Sequence, residues 1–160
     1  DRAADLIVQT TGDCPLIDAE LIDKGISFYL ENSYDLVGNN LDRTFPIGLD
    51  YRIFSKNVIK KANEICSDEI HRSHGSTYIY SEKGKEIFTS YNISAENDYN
   101  YPTMRLTVDT PEDLLLMNKI SERFENLVNV KSKEIISFLN LNKSLAQINS
   151  NVRQKTIEEG

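Results

Sequence analysis

The order of segments along the chain predicts an α/β layer fold. Three observations carry that prediction. Apolar runs of strand length alternate with helical periodicities throughout the 160 residues. The run Leu6-Ile7-Val8-Gln9 halts at Gly12-Asp13, and Pro15 cannot extend a ladder. Met104-Arg105-Leu106-Thr107-Val108 leads into Asp109 and a strongly marked helix start. An all-helical or sandwich protein would not produce this order. The length suits one domain with a sizeable core rather than two ordinary ones.

Leu6–Gln9 reads as a buried parallel strand, so Asp13 falls just past its carboxyl end, where open α/β sheets bind ligands. Gly12 lets a bulky polar group approach the backbone closely. Taken alone, however, this stretch is more simply a strand-to-helix turn. Asp18 caps a helix with an apolar face of Leu21, Ile22, Ile26, Phe28, Tyr29 and Leu30, ended by Asn32-Ser33. Tyr34–Gly38 is a short strand, followed over 39–46 by a polar loop rich in ligand-capable side chains. Gly48–Phe54 alternates, placing Leu49, Tyr51 and Ile53 on one face and Asp50 and Arg52 on the other.

Ser55 caps a helix from Lys56 to about Ile65 that buries Val58, Ile59, Ala62 and Ile65. A second helical stretch runs from about Asp68 towards Ser81, weakened at Gly75 by roughly 1 kcal/mol relative to Ala. Lys83-Gly84-Lys85 is a turn, Glu86–Asn92 a strand, Ser94–Pro102 an exposed loop and Met104–Val108 another strand. Thr110 is an N-cap, Pro111 fills the first helical position, and Asp113 completes an acidic capping box. The helix that follows runs to about Phe124 and buries Leu114, Leu115, Met117, Ile120 and Phe124. Short helices over 132–139 and 142–148 precede a polar tail. The chain thus divides into an α/β body over 1–130 and short helices with a polar tail over 131–160.

A formal charge of −7 argues against nucleic acid or an acidic membrane as partner. It fits a carboxylate-lined site that holds a divalent cation and, through it, an anionic substrate. No run reaches transmembrane length and no signal peptide is visible. The chain opens on Asp1 only a few residues before a buried strand, so it reads as a segment whose preceding part is missing. Cys14 and Cys66 are too few for a disulfide framework and lack metal-ligand spacing, which places the chain in a reduced, cytoplasmic setting. Cys14 is not read as a nucleophile, because neither His lies near it in sequence.

Val108-Asp109-Thr110-Pro111 repeats the opening pattern of apolar strand, Asp and helix start. Two carboxylates at the ends of two strands can converge on one edge of a sheet. Mg²⁺ favours such an arrangement, with one or two carboxylates, several waters and phosphate oxygens.

Three motifs then occur in order: Gly12-Asp13-Cys14-Pro15-Leu16-Ile17-Asp18, Arg43-Thr44-Phe45-Pro46-x-Gly48-Leu49-Asp50, and Arg105-x-Thr107-Val108-Asp109-Thr110-Pro111-Glu112-Asp113-Leu114. Together they resemble the cytidylyltransferases of sugar activation over nearly the whole chain. The branch most resembled is the spore coat polysaccharide biosynthesis protein F group; CMP-sialic acid and deoxyoctulosonate cytidylyltransferases are more distant. The resemblance implies a Rossmann-like mixed sheet of the nucleotide-diphospho-sugar transferase type, truncated at its N-terminus. It implies Mg²⁺ at Asp13 and Asp109, with CTP and a sugar, of acidic type, as substrates and a homodimer as the assembly.

A sugar hydroxyl would attack the α-phosphorus of CTP and displace pyrophosphate, with alignment and electrostatics carrying the rate. The family's loop that cradles the CTP phosphates precedes the region matched here. Arg43 is either a contact for a substrate carboxylate or phosphate or a surface loop arginine, and Asp50 is either an acceptor for sugar hydroxyls or, more simply, an exposed strand carboxylate. Arg105 is either an ion-pair partner near Asp109 or a phosphate contact. Arg72-Ser73-His74-Gly75 falls where the branch usually carries Arg-Glu-His-Val, which makes His74 a candidate sugar contact or base, although a solvated pair with His71 is the simpler account. The competing readings are a glycosyltransferase of the related nucleotide-sugar fold and a non-catalytic interaction module that has kept the fold.

Overall fold

In the computed structural model, which describes residues 4–156 and 159, four short strands form one sheet in the order β1-β3-β2-β4. They are β1 (Leu6–Gln9), β2 (Leu36–Gly38), β3 (Arg52–Ser55) and β4 (Ser90–Asn92). β3 runs antiparallel to both neighbours, and β2 and β4 pair in parallel. The sheet is therefore mixed, as the family resemblance implies. Leu6–Gln9 departs from its expected pairing: it meets β3 antiparallel, from Leu6 opposite Ser55 to Gln9 opposite Arg52, and all four residues are only half-buried. An apolar run records that a strand is covered, but not the direction of its neighbour.

The helices are α1 (Ala19–Glu31), α2 (Lys56–Ile65), α3 (Glu69–Ser73), α4 (Pro111–Arg123), α5 (Ser132–Leu141) and α6 (Lys143–Ala146). Their starts follow the sequence signals. Asp18 accepts from the Glu20 amide, and Ser55 from the Val58 amide. Thr110 and Asp113 exchange both bonds of the capping box. The Asp18 carboxylate also accepts from the Ser132 amide and hydroxyl, at 3.1 and 2.6 Å, and so ties the start of α1 to the start of α5.

The main core gathers Leu49, Tyr51 and Ile53 with Leu106, Leu116, Ile120 and the α5 residues Ile135, Ile136 and Leu139. A second cluster on the other side of the sheet holds Leu36, Phe54, Ala62, Tyr78, Ile79 and Phe88. The alternation over 49–53 survives although the ladder itself begins only at Arg52: Leu49, Tyr51 and Ile53 are buried, while Asp50 and Arg52 are half-buried and turn to a cavity.

Several segments differ from expectation. The helical stretch after Asp68 stops at Ser73, and a 3-10 helix, Gly75–Tyr80, follows. The cause is Gly75, whose φ of 65° lies in the left-handed region, so the α-helix ends there instead of being merely weakened. Gly84–Glu86 is a 3-10 turn, and only Ser90–Asn92 of the expected 86–92 strand is formed, because β2 offers three partners. Met104–Val108 makes no ladder beyond one parallel bridge between Ile47 and Arg105. Its amides turn to two loops: Leu106 N–H donates to Ile47 O and Val108 N–H to Asp13 O.

The loop at 94–102 is not wholly exposed, since Tyr99 is buried with its ring 5.8 Å from that of Phe45. On α4 the buried series is Asp113, Leu116 and Ile120, whereas Leu114 and Leu115 remain 52% and 49% exposed. Those buried positions are spaced i, i+3, i+7, so the inward Asp113 sets which face is covered. Ile65 and Leu30, expected inside, are exposed. No described helix is long and apolar enough to cross a membrane.

Candidate functional site

A cavity of about 830 Å³ opens where β1 and β2 end and β3 begins. Of the residues singled out from the sequence, Asp13, Asp50, His74, Arg105 and Asp109 line it. Arg43 stands behind them: its guanidinium grips Asp50 bidentately, Nη1 to Oδ1 at 2.9 Å and Nη2 to Oδ2 at 2.8 Å. The two groups assigned separately to substrate anion and sugar hydroxyls thus neutralise each other.

Asp13 and Asp109 come from separate loops and meet at Thr107. Its hydroxyl lies 3.0 Å from both the carbonyl and Oδ2 of Asp13, and 3.5 Å from Asp109 Oδ2. One proton serves these oxygens in turn. Burial works to raise the Asp13 carboxyl, but hydrogen bonds from Thr11 and Thr107 outweigh it and hold the group below the usual carboxylate range. Asp13 is therefore an anion at neutral pH. Cys14 beside it is buried, and burial pushes its thiol up to about 11, which excludes a resting thiolate.

Asp109 is held from the other side by Arg105, whose Nη2 donates to its Oδ2 at 2.6 Å. The Arg105 side chain is only 4% exposed. Its Nε and Nη2 donate to the two oxygens of Asp113 at 2.9 Å each, and Nη1 bonds Gln154 Oε1. Asp113 also accepts from Asn149 Nδ2 and from the Asp109 and Thr110 amides. Burial would raise the Asp113 carboxyl, but Arg105, Asn149 and the Asp109 amide hold it down at about 2. Of the two roles open to Arg105, the geometry is that of an ion-pair partner.

The loop after β2 is fixed by Asn39, fully buried, which donates to Leu49 O at 2.8 Å and accepts from the Tyr51 amide at 2.9 Å. Asn40 Oδ1 accepts from Arg52 Nε at 3.2 Å. Gly48, at φ 102°, threads this loop against the carboxylate segment; a Cβ there would lie 2.6 Å from Leu106 C and Thr107 N. His74 reaches the cavity from the end of α3, while His71 turns to the Thr77 hydroxyl at 3.0 Å. Arg72, from the same motif, caps carbonyls at the end of α2, Asn63 and Cys66.

The sequence reading missed Thr107, Arg52, Gln9, Thr11 and the segment Val152 to Thr156, all of which line the cavity. Thr107 was within reach of pattern reasoning, because Arg105, Thr107 and Asp109 share one side at a period of two. The wall at 152–156 carries no local signal and arrives only through tertiary contact, Gln154 against Arg105.

The mixed sheet with a carboxylate-bearing cavity at its strand ends is the nucleotide-diphospho-sugar transferase fold. Within that fold the chain is similar to cytidylyltransferases. A cytidylyltransferase from Leptospira borgpetersenii matches it with a TM-score of 0.82 and 28% identity, over 95% of this chain and 61% of that one. The chain is 24% identical over 142 residues to the spore coat polysaccharide biosynthesis protein SpsF of Bacillus subtilis, covering 88% of this chain and 57% of SpsF. An uncharacterized protein of Methanocaldococcus jannaschii is 34% identical over 157 residues, covering 98% of this chain and 62% of that protein. The chain spans about three-fifths of the length of these relatives. No family model matches it.

Proposed function

We propose that the full-length protein is a Mg²⁺-dependent cytidylyltransferase that transfers CMP from CTP to an acidic sugar, in the cytoplasm, for surface or spore-coat polysaccharide. The observation that carries this reading is the meeting of Asp13 and Asp109, from two separate loops, at the single hydroxyl of Thr107. The donor set at Asp13 and Asp109 is all oxygen. That suits Mg²⁺, which keeps several waters and takes few protein carboxylates, and does not suit a soft metal.

Asp13 and Asp109 would hold the ion, which when bound neutralises charge on the nucleotide phosphates. The chain's own residues do the positioning. Arg105 fixes the Asp109 carboxylate through Oδ2 at the cavity wall. The Arg43–Asp50 pair and Asn40 present a rigid polar wall to sugar hydroxyls. His74 stands at the same cavity as a sugar contact.

The test is pyrophosphate release from CTP by the full-length protein against a panel of nonulosonic and related sugar acids. Asp109→Asn should lower turnover by at least ~10²-fold, the scale of losing one preorganised electrostatic group, with the melting transition kept cooperative. Near-wild-type turnover in this variant would remove Asp109 from the metal site. Absence of CTP turnover with every sugar acid would remove the cytidylyltransferase reading itself.

A further inference from the structure

Four cations line the cavity, and they are not equivalent. Arg105 is consumed by Asp109, Asp113 and Gln154. Arg153 is gripped bidentately by Glu159, at 2.8 and 2.9 Å. Lys155 sits on the exposed segment at 152–156. Arg43, which stands behind the lining and reads from the sequence as a candidate anion contact, is closed off by Asp50. Arg52 differs from all of these. Its Nε donates to the neutral amide oxygen of Asn40 at 3.2 Å, and no carboxylate pairs with it among the described residues.

Arg52 is also held in place. It opens β3 in the middle of the sheet, with Gln9 of β1 opposite on one side and Gly38 of β2 on the other. Gly38 presents no side chain at the point where a Cβ would sit 3.3 Å from Arg52 Cγ, so the arginine stem can lie across it. The guanidinium carbon lies 5.0 Å from the centroid of the Tyr80 ring, which supports its flat face. With Nε tied to Asn40 and the face on Tyr80, the paired Nη groups are left as the fork's free edge on the cavity.

We infer that Arg52 is the oxyanion receptor of this cavity, presenting its Nη groups to a carboxylate or phosphate of the bound substrate. A planar fork binds either group through two parallel N–H···O bonds, and a preordered arginine gives up less freedom in doing so than a mobile one. The inference rests on the cavity being a substrate site, as the proposed function requires. It replaces Arg43 with Arg52 as the group that makes an anionic substrate preferred over a neutral one.

The experiment follows the side-chain Nε–Hε resonance of Arg52 in the full-length protein, assigned by its loss in Arg52→Lys. The probes are N-acetylneuraminic acid, its methyl ester and inorganic pyrophosphate, with sodium chloride as ionic control. A saturable shift with the acid and not with the ester supports the inference and identifies a sugar carboxylate. A saturable shift with pyrophosphate supports it and identifies a nucleotide phosphate. Arg52→Gln should then weaken that probe by about tenfold or more, with Arg52→Lys intermediate. The inference is overturned if neither acid nor pyrophosphate gives a saturable shift, if acid and ester shift it alike while pyrophosphate does not, or if the shift follows sodium chloride. CTP turnover on the same sample keeps the two readings apart: a saturable shift without turnover leaves Arg52 standing, and turnover without a shift removes it.

Discussion

Asp113→Asn tests whether the network beneath Asp109 is held by charge or only by shape. The native carboxylate accepts five hydrogen bonds, two from Arg105 at 2.9 Å and one each from Asn149, the Asp109 amide and the Thr110 amide. Asparagine keeps the shape but has one acceptor oxygen, and it turns an N–H₂ towards donors. Arg105, with its side chain 4% exposed, then keeps only Asp109 as an anionic partner. Breaking a buried pair from one side costs about 3–5 kcal/mol, and the surviving Asp109 bond puts this case near 3.

The acid dependence gives an independent measure. Asp113 titrates at about 2 in the fold against an ordinary 3.8, and that displacement corresponds to about 2 kcal/mol. Because the folded value is depressed, this stability is fully present above about pH 4 and is lost as pH falls through about 2. Urea denaturation of both proteins, at neutral pH and down to about pH 2, is the assay. The variant should be less stable by about 3 kcal/mol at neutral pH and show a flatter acid limb. A loss below about 1 kcal/mol, or parallel acid limbs, would refute a charged network.

Two other perturbations probe the site's frame. Gly48→Ala places a Cβ 2.6 Å from backbone atoms of Leu106 and Thr107 at a φ of 102°, so it should cost at least ~2 kcal/mol and weaken the proposed CTP turnover of the full-length protein together; unchanged stability by denaturation would show that the two loops can separate freely. Cys14, buried and pushed up to about 11, should resist iodoacetamide in the native protein at neutral pH and react once urea unfolds it, read by mass spectrometry. Rapid native alkylation would mean that the thiol is neither buried nor raised.

What the sequence showed plainly was governed by local chemistry. Asp18, Ser55 and Thr110 each cap the helix that follows them, because an N-cap needs only a short oxygen-bearing side chain beside free amides. The Leu49, Tyr51 and Ile53 face was equally plain, since period two holds wherever the backbone is extended. The motifs around Asp13 and Asp109 brought the two carboxylates to one cavity before any coordinates.

Apart from the helix end at Gly75, the failures concern tertiary partners that local patterns do not reveal. Direction of pairing for Leu6–Gln9 depends on β3, more than forty residues on. Leu114 and Leu115 were placed inside on hydrophobicity, yet Arg105 draws Asp113 inward and turns them out. Arg43 and Asp50 were each legible as polar site residues, but their mutual grip was not, and it passes the anion-binding role to Arg52.

The bond pair that joins Ile47 to Met104 and Leu106, with Gly48 pressed on the next peptide, locks two loops into a single body. One carries Asp50 and Arg52; the other carries Thr107 and Asp109. Evolution acting on such a body meets two very different landscapes. Exchange of the side chains at 43, 50 or 52 changes what the cavity selects while the backbone stays in register. Insertion or deletion between 39 and 50 would drag Thr107 with it and unseat Asp13. Relatives that accept different sugars through this scaffold should therefore diverge by substitution in that loop and keep its length.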